Sequence, residues 1–468
     1  MNRREFLNAA VAAAAPFGSS EAPRPIRLYG RTATLEGAAE LDRLRIYIRW
    51  LGAGSATWSM NSEKTEDYQV SLCYASGATG SQLAVVCGRS SVRGATVVTQ
   101  GLYDDPLTNY ERISFDGVIR LQAGANQVRL RLSAPQREEA MRVRGIELTP
   151  VSSLKAIAAD QARAMKARSP TDWLVKSGYG LMFHWTSQSQ PRHGPQLTYK
   201  DAVERFPVKA FVETVAETGA GHVIFTLNHA VSTCPAPIRT WEQYHPGLTT
   251  ERDLLGEIAE KLDRHGVRLI IYINSPRFGT QRTAGKGEGI QGVDARQYVD
   301  MHRDVLTEIG RRYGRRLAGY WFDSWYQGFE QFPDVRQDLV FQACKEGNPH
   351  RLTAFNFWIF PSCTEWQEYW AGEMGEPQRP ATARRIEAGA GRGLQHQSLL
   401  YLDAPWVHSK PDTEMEQPRF TAEKLIAYIR DSMSRQGVVT VNLGIYQEGN
   451  IGPQARRIMS AVRDAIRG

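Results

Sequence analysis

A chain of 468 residues is long for one small domain and sets an expectation of two. With 42% hydrophobic residues, 23% charged and 11 Trp it has the composition of a folded chain with ample core, which excludes disorder. The formal charge of +7 comes from 57 basic against 50 acidic residues with no polybasic run, so it reads as a solvated surface and argues against nucleic acid, with acidic glycan substrates as the alternative.

The first residues, "MNRREFLNAAVAAAAPFG", place Arg3 and Arg4 before Phe6, Leu7 and an Ala-rich run of modest hydrophobicity. They resemble a twin-arginine export signal, a removable address over residues 1–25. No other run approaches the roughly 20 apolar residues that cross a bilayer. The expectation is a periplasmic or secreted protein without a membrane span.

From 26 to 150 the pattern is short alternating runs, "LRIYIRW", "YQVSLCYA", "QLAVVCG", "ATVVTQG", "VIRLQAG", "QVRLRLSA" and "MRVRGIELTP", separated by Gly, Asn and Ser turns. Alternation of period two predicts an antiparallel β-sandwich. Its general look resembles the carbohydrate-binding sandwiches attached to glycan-degrading enzymes; a purely structural module packed on its neighbour is the equal alternative. Cys73 and Cys87 could meet across neighbouring strands, although most of the five Cys read as small core residues without metal spacing. The Ala-rich stretch 154–168 predicts a helical connector, with the domain boundary near 150.

From 151 to 468 the texture changes. Continuous apolar runs, "YGLMFHW", "HVIFTLN", "RLIIYIN", "GYWFDSW", "LTAFNFW", "LLYLDAP" and "VVTVNLG", alternate with amphipathic segments such as 251–265 and 422–435. Buried parallel strands alternating with helices predict a TIM-like (β/α)8 barrel. A doubly wound open sheet is the alternative, but it ordinarily brings a Gly-rich phosphate loop after its first strand, and "FHWTSQSQPR" is not one.

A barrel carries its active site at the carboxyl ends of its strands. The residues there are His184 and Trp185, Asn228 and His229, Asn274, Asp323 and Trp325, Asn356 and Trp358, and Asp403 and Trp406. This mixture of planar polar groups and aromatic rings suits sugar hydroxyls and the apolar face of a pyranose. His184 and His229 lack the third ligand and the spacing of a zinc site, and no Gly-x-Ser-x-Gly elbow is present. Carboxylate chemistry remains. Asp323 ends "GYWFD" as one acid; the second is sought among Glu368, Glu373, Glu376 and Asp403, the glutamates lying amid Trp366, Tyr369 and Trp370, where apolar neighbours raise a carboxyl pKa.

Five segments then resemble the retaining α-L-fucosidases of glycoside hydrolase family 29. "GYGLMFHW" is similar to the family's first strand, "AFVETVAETGAGHVIFTLNH" to its second, and "ERDLLGEIAEKLDRHGVRLIIYIN" to its Arg-Asp-Leu helix and third strand. "GYWFDSW" resembles the Trp-Phe-Asp nucleophile motif, and "EKLIAYIRDSMSRQGVVTVNLGIYQEGNIGP" the closing segment. The resemblance implies Asp323 as nucleophile and Glu373, in "EYWAGE", as acid/base. It also implies a sugar subsite lined by His184, His229 and Trp321, to which the strand-end reading adds Trp185, Asn228, Trp325, Asn356 and Trp358. Where the family has Lys-His-His-Asp-Gly-Phe, residues 228–233 read Asn-His-Ala-Val-Ser-Thr, and Phe357 follows Asn356 where the family commonly has Arg. The expected function is therefore an exported retaining exo-glycosidase, fucosidase-like, hydrolysing terminal α-L-fucosides or a sugar of related configuration on an oligosaccharide or glycoconjugate by double displacement, with no cofactor. A different sugar specificity on the same scaffold and a non-catalytic glycan-binding protein are the alternatives.

Overall fold

The computed structural model describes residues 25–133, 139–278, 290, 292–332, 335–380, 383–387 and 391–468. The twin-arginine segment lies outside the described residues.

The N-terminal part is antiparallel β throughout: β1 (Ile26–Tyr29), β2 (Thr34–Leu41), β3 (Ile48–Ser62), β4 (Glu66–Ser76), β5 (Gln82–Cys87), β6 (Ser90–Ala95), β7 (Glu111–Leu121), β8 (Gly124–Ser133) and β9 (Met141–Pro150). Alternating burial along β8 and β9 turns Leu130, Val143 and Leu148 inward onto Trp50, Trp58 and Leu72. The strands form one sheet ordered β6-β5-β8-β3-β9-β4-β7, with β1 on β9 and β2 on β3. Its two ends approach, since Arg120 N on β7 donates to Ser90 Oγ on β6 at 2.9 Å. The two layers expected of a sandwich are thus two walls of a single rolled sheet.

Two expected strands differ. In "ATVVTQG" only Ala95 is in a strand, and in "LRIYIRW" Leu44 to Tyr47 form the β2–β3 loop. Asp42 is the cause of the second: its carboxylate accepts from the backbone N–H groups of Leu44, Ile46 and Tyr47, so they are not available to a ladder. All five cysteines are free thiols, Cys73 and Cys87 lying on β4 and β5, which are not neighbours.

The helix Leu154–Ala167 leads into the second part. There β10 (Tyr179–Phe183), β11 (His222–Thr226), β12 (Arg268–Asn274), β13 (Leu317–Asp323), β14 (Leu352–Phe355), β15 (Glu373–Gly375), β16 (Gln397–Tyr401) and β17 (Val438–Asn442) are all parallel. Every residue of β10, β11, β14 and β17 is buried, as strands covered on both faces must be. The order β14-β13-β12-β11-β10-β17-β16-β15 is the cyclic order of a (β/α)8 barrel, because the first strand pairs with the last.

Among the described residues the curled sheet stays open between β14 and β15. That seam is stitched by the segment before β15: Glu368 N donates to Thr353 O at 2.9 Å, Thr353 N to Glu368 Oε2 at 2.8 Å and Phe355 N to Gln367 Oε1 at 2.9 Å. Lys345 pairs with the fully buried Glu368. Glu368, one of the candidate acids, is therefore a strand-closing group.

Candidate active site

Register builds the site. Along β12 and β13, Tyr272 lies opposite Trp321 and Asn274 opposite Asp323, so alternate residues of both strands converge on one face. Asp323 Oδ2 accepts from Tyr272 Oη at 2.6 Å and from Asn274 Nδ2 at 3.3 Å; Oδ1 accepts from Ser324 N at 2.7 Å and Asn356 Nδ2 at 3.1 Å. Four donors fix the carboxylate's orientation. Burial and the neighbouring carboxylate hold the Tyr272 phenol far above its usual range, so it remains a donor.

Asn356 carries the arrangement to the second acid. Its Nδ2 also donates to Glu373 Oε2 at 2.7 Å, so the two carboxyl groups can stand no farther apart than those two bonds laid end to end. Desolvation, with the charge of Asp323 added, pushes the Glu373 carboxyl up to about 7. Gly372 makes its placement possible. It has φ +65°, and a Cβ there would sit 1.9 Å from Gln397 O, so only glycine lets β15 close on β16. The other candidates are occupied elsewhere: Glu376 pairs with Arg419, and Asp403 accepts from Ala404 N at 2.8 Å and Gly444 N at 2.6 Å.

Above the acids lies a pocket of about 270 Å³, walled by His184, His229, Trp321, Trp358 and Trp406, with no Lys or Arg among the described residues that line it. His184 is buried and its ring is held neutral, its pKa lowered to about 3 by desolvation. Its Nδ1 lies 2.8 Å from Asn442 Oδ1, an acceptor, so the proton sits on Nδ1 and Nε2 keeps a lone pair for a hydroxyl. Six non-glycine residues have positive φ among those described, and Ser324 (53°), Trp358 (54°) and Trp406 (73°) follow β13, β14 and β16 to line this pocket. Backbone strain of this kind concentrates where side chains must be aimed.

Not every expected residue reaches the pocket. His184 points inward, so Trp185 points outward, packing on Phe206 with its indole N–H on Gln447 O. Trp325 begins the helix Trp325–Gln331 and packs on Phe355 and His302. Asn228 exchanges two hydrogen bonds with the Asn274 backbone and so holds the end of β12. Sequence reasoning missed Tyr272, though its position two before Asn274 puts it on the same strand face. Leu44, Ile46, Tyr326 and Ser324 also line the pocket.

The model of the alpha-L-fucosidase family matches residues 161–464, which span all eight parallel strands and both acids. Among solved structures the chain is similar to α-L-fucosidase isoenzyme 1 from Paenibacillus thiaminolyticus, at 16% identity and TM-score 0.50 over 65% of this chain and 76% of that one. It is also similar to an α-L-fucosidase from Lactobacillus casei in complex with α-L-fucose product, at 14% identity and TM-score 0.44, over 63% of this chain and 97% of that one. An endo-fucoidan hydrolase of glycoside hydrolase family 107 aligns at 16% identity and TM-score 0.48, over 62% of this chain and 53% of the other. This chain thus spans about half the length of that hydrolase. No curated protein matches its sequence. The family match over the parallel strands that carry Asp323 and Glu373 shows that the chain belongs to the alpha-L-fucosidase family of glycoside hydrolases.

Proposed function

We propose that the chain is an exported exo-acting α-L-fucosidase that hydrolyses terminal fucosides by double displacement with retention. The observation that carries this is the single Asn356 amide shared by Asp323 and Glu373. It supports a spacing compatible with the about 5 to 5.5 Å of retaining sites, too short for a water between the acids. Asp323 attacks the anomeric carbon; Glu373, protonated, delivers its proton to the leaving oxygen, then as carboxylate takes one from the water that releases the sugar. His184 and His229 accept and donate to ring hydroxyls, while Trp321, stacked on Tyr272 at 5.4 Å, offers an apolar floor. Among the described residues no cation lines the pocket, which favours a neutral sugar over an anionic one.

A panel of 4-nitrophenyl α-glycosides, followed by NMR of the first-formed anomer, tests the reading. Cleavage of the α-L-fucoside with an α-configured first product is expected, and Asp323→Gly should lose roughly 10³-fold or more. An inverted product, or wild-type turnover by Asp323→Gly, would overturn it. A different neutral sugar on the same scaffold is the second reading, favoured by Asn228: where the resemblance implies a pocket cation, this side chain is spent on the Asn274 backbone.

A further inference from the structure

Leu44 is 62% exposed although it belongs to a rigid loop, and together with Ile46 it borders the pocket that holds Asp323 and Glu373. An exposed leucine on a mobile tip needs no explanation, but this loop is tied down at every turn. Asp42 collects three backbone N–H groups, Arg45 N donates to Asp42 O at 2.9 Å, and Arg45 sits at φ +58° between the two apolar residues. Buried Arg144 then donates to Ile46 O at 2.5 Å, stacks its guanidinium 4.3 Å from the Phe360 ring and pairs with Glu330 of the barrel. The N-terminal module thereby holds two aliphatic side chains over the mouth of the barrel's active site, facing Trp358 and Tyr326.

We propose that Leu44 and Ile46, with Trp358 and Tyr326, form the subsite for the leaving group, and that it takes a neutral sugar or aryl group through its apolar face. This rests on the fucosidase reading of the inner pocket. The inner pocket already has its histidines and Trp321 for the glycosyl ring, so what departs must pass along the outer wall. The described residues of that wall are aliphatic and aromatic, which suits the C–H face of a pyranose or a phenyl ring. Strain at Arg45 and the buried Arg144 lock show the loop preformed, so little ordering is lost on binding.

The test uses full-length Asp323→Asn, which binds without turnover, with and without Leu44→Asp or Leu44→Ala. Calorimetry compares free L-fucose with 4-nitrophenyl α-L-fucoside. The affinity of the aryl glycoside should fall about 5- to 10-fold in Leu44→Ala and further in Leu44→Asp, and in each variant by more than the affinity for L-fucose. In otherwise wild-type protein, Leu44→Ala should raise KM for the aryl fucoside far more than it raises KM for fucosyl fluoride, whose leaving group is one atom. Equal losses for both ligands, or none, would overturn the subsite. If neither ligand binds, the fucose reading fails instead, and the same variants against other 4-nitrophenyl glycosides and their parent sugars then test the loop by itself.

Discussion

Glu373 and Asp323 share one amide and one region of low dielectric, so each senses the other's charge. The proposed mechanism needs Glu373 as an acid, so activity should fall as pH rises through about 7. Burial is the larger cause and the neighbouring charge the smaller, so in Asp323→Asn ¹³C NMR of Glu373 should show a carboxyl titrating below about 7 but still raised above an ordinary glutamate. A value unchanged in the variant would mean that burial acts without Asp323. A second expectation separates Glu373 from the other carboxyls. Glu373→Ala should lose roughly 10² to 10⁴ on a natural disaccharide but far less on a nitrophenyl fucoside, whose leaving group departs without a proton. Equal losses on both substrates would remove the acid/base role, and azide should restore the slowed second step.

The short strand β15 places Glu373, and it has only three residues to do so. Its neighbour β16 holds it on one side; on the other, where no ladder reaches β14, support comes from the N-terminal module. Tyr103 Oη donates to the Glu373 carbonyl at 2.5 Å, Asp104 N donates to Gln378 Oε1 at 2.9 Å and Arg379 N to Leu102 O at 3.1 Å. Tyr103 is thus a positioning residue for Glu373, the proposed acid/base. Tyr103→Phe keeps the ring and removes the bond, so kcat should fall a few-fold, roughly the effect of about 1 kcal/mol. The loss should be larger for a disaccharide than for an aryl fucoside, as for Glu373 itself. A purely structural role for Tyr103 would lower both alike, together with the melting temperature.

Across the whole molecule the module and the parallel-sheet domain are joined by buried charge. Glu330, on the helix after β13, accepts from both Arg144 and Arg31, and Arg112 reaches Ser362 O and Cys363 Sγ at 3.4 and 3.2 Å. Arg144 and Glu330 are only 7% and 10% exposed in their side chains, so removing one partner strands the other. Glu330→Gln should therefore cost roughly 3 kcal/mol. Calorimetry should show the module melting ahead of the barrel, and the Leu44 loop should lose its hold on the leaving group. A variant that melts as one unit at the wild-type temperature would show that apolar contacts, such as Tyr110 on Phe360, suffice. The module is accordingly part of the active site's frame as well as a neighbour to it.

The sequence alone determined what depends on local chemistry. Seven of the eight parallel strands were legible as continuous apolar runs, and Asp323 as the polar residue ending one of them, because burial on both faces leaves no alternation to confuse. Glu373 was legible as an acid among aromatic neighbours, but its strand was not, since three residues carry no period and β15 exists only because β16 lies beside it. Tertiary structure decided the rest. It made Glu368 a seam closure and Asp403 a backbone acceptor, turned Trp185 and Trp325 into core by parity and helix start, and set Asn356 between two acids from different strands. It also brought Leu44 and Tyr103 to a pair of acids more than two hundred residues away in the chain. No local pattern encodes such a meeting, because it follows from how two separately patterned units dock. The docking contacts, Arg144 with Glu330 and Tyr103 with the Glu373 carbonyl, look in the sequence like ordinary charged and aromatic surface.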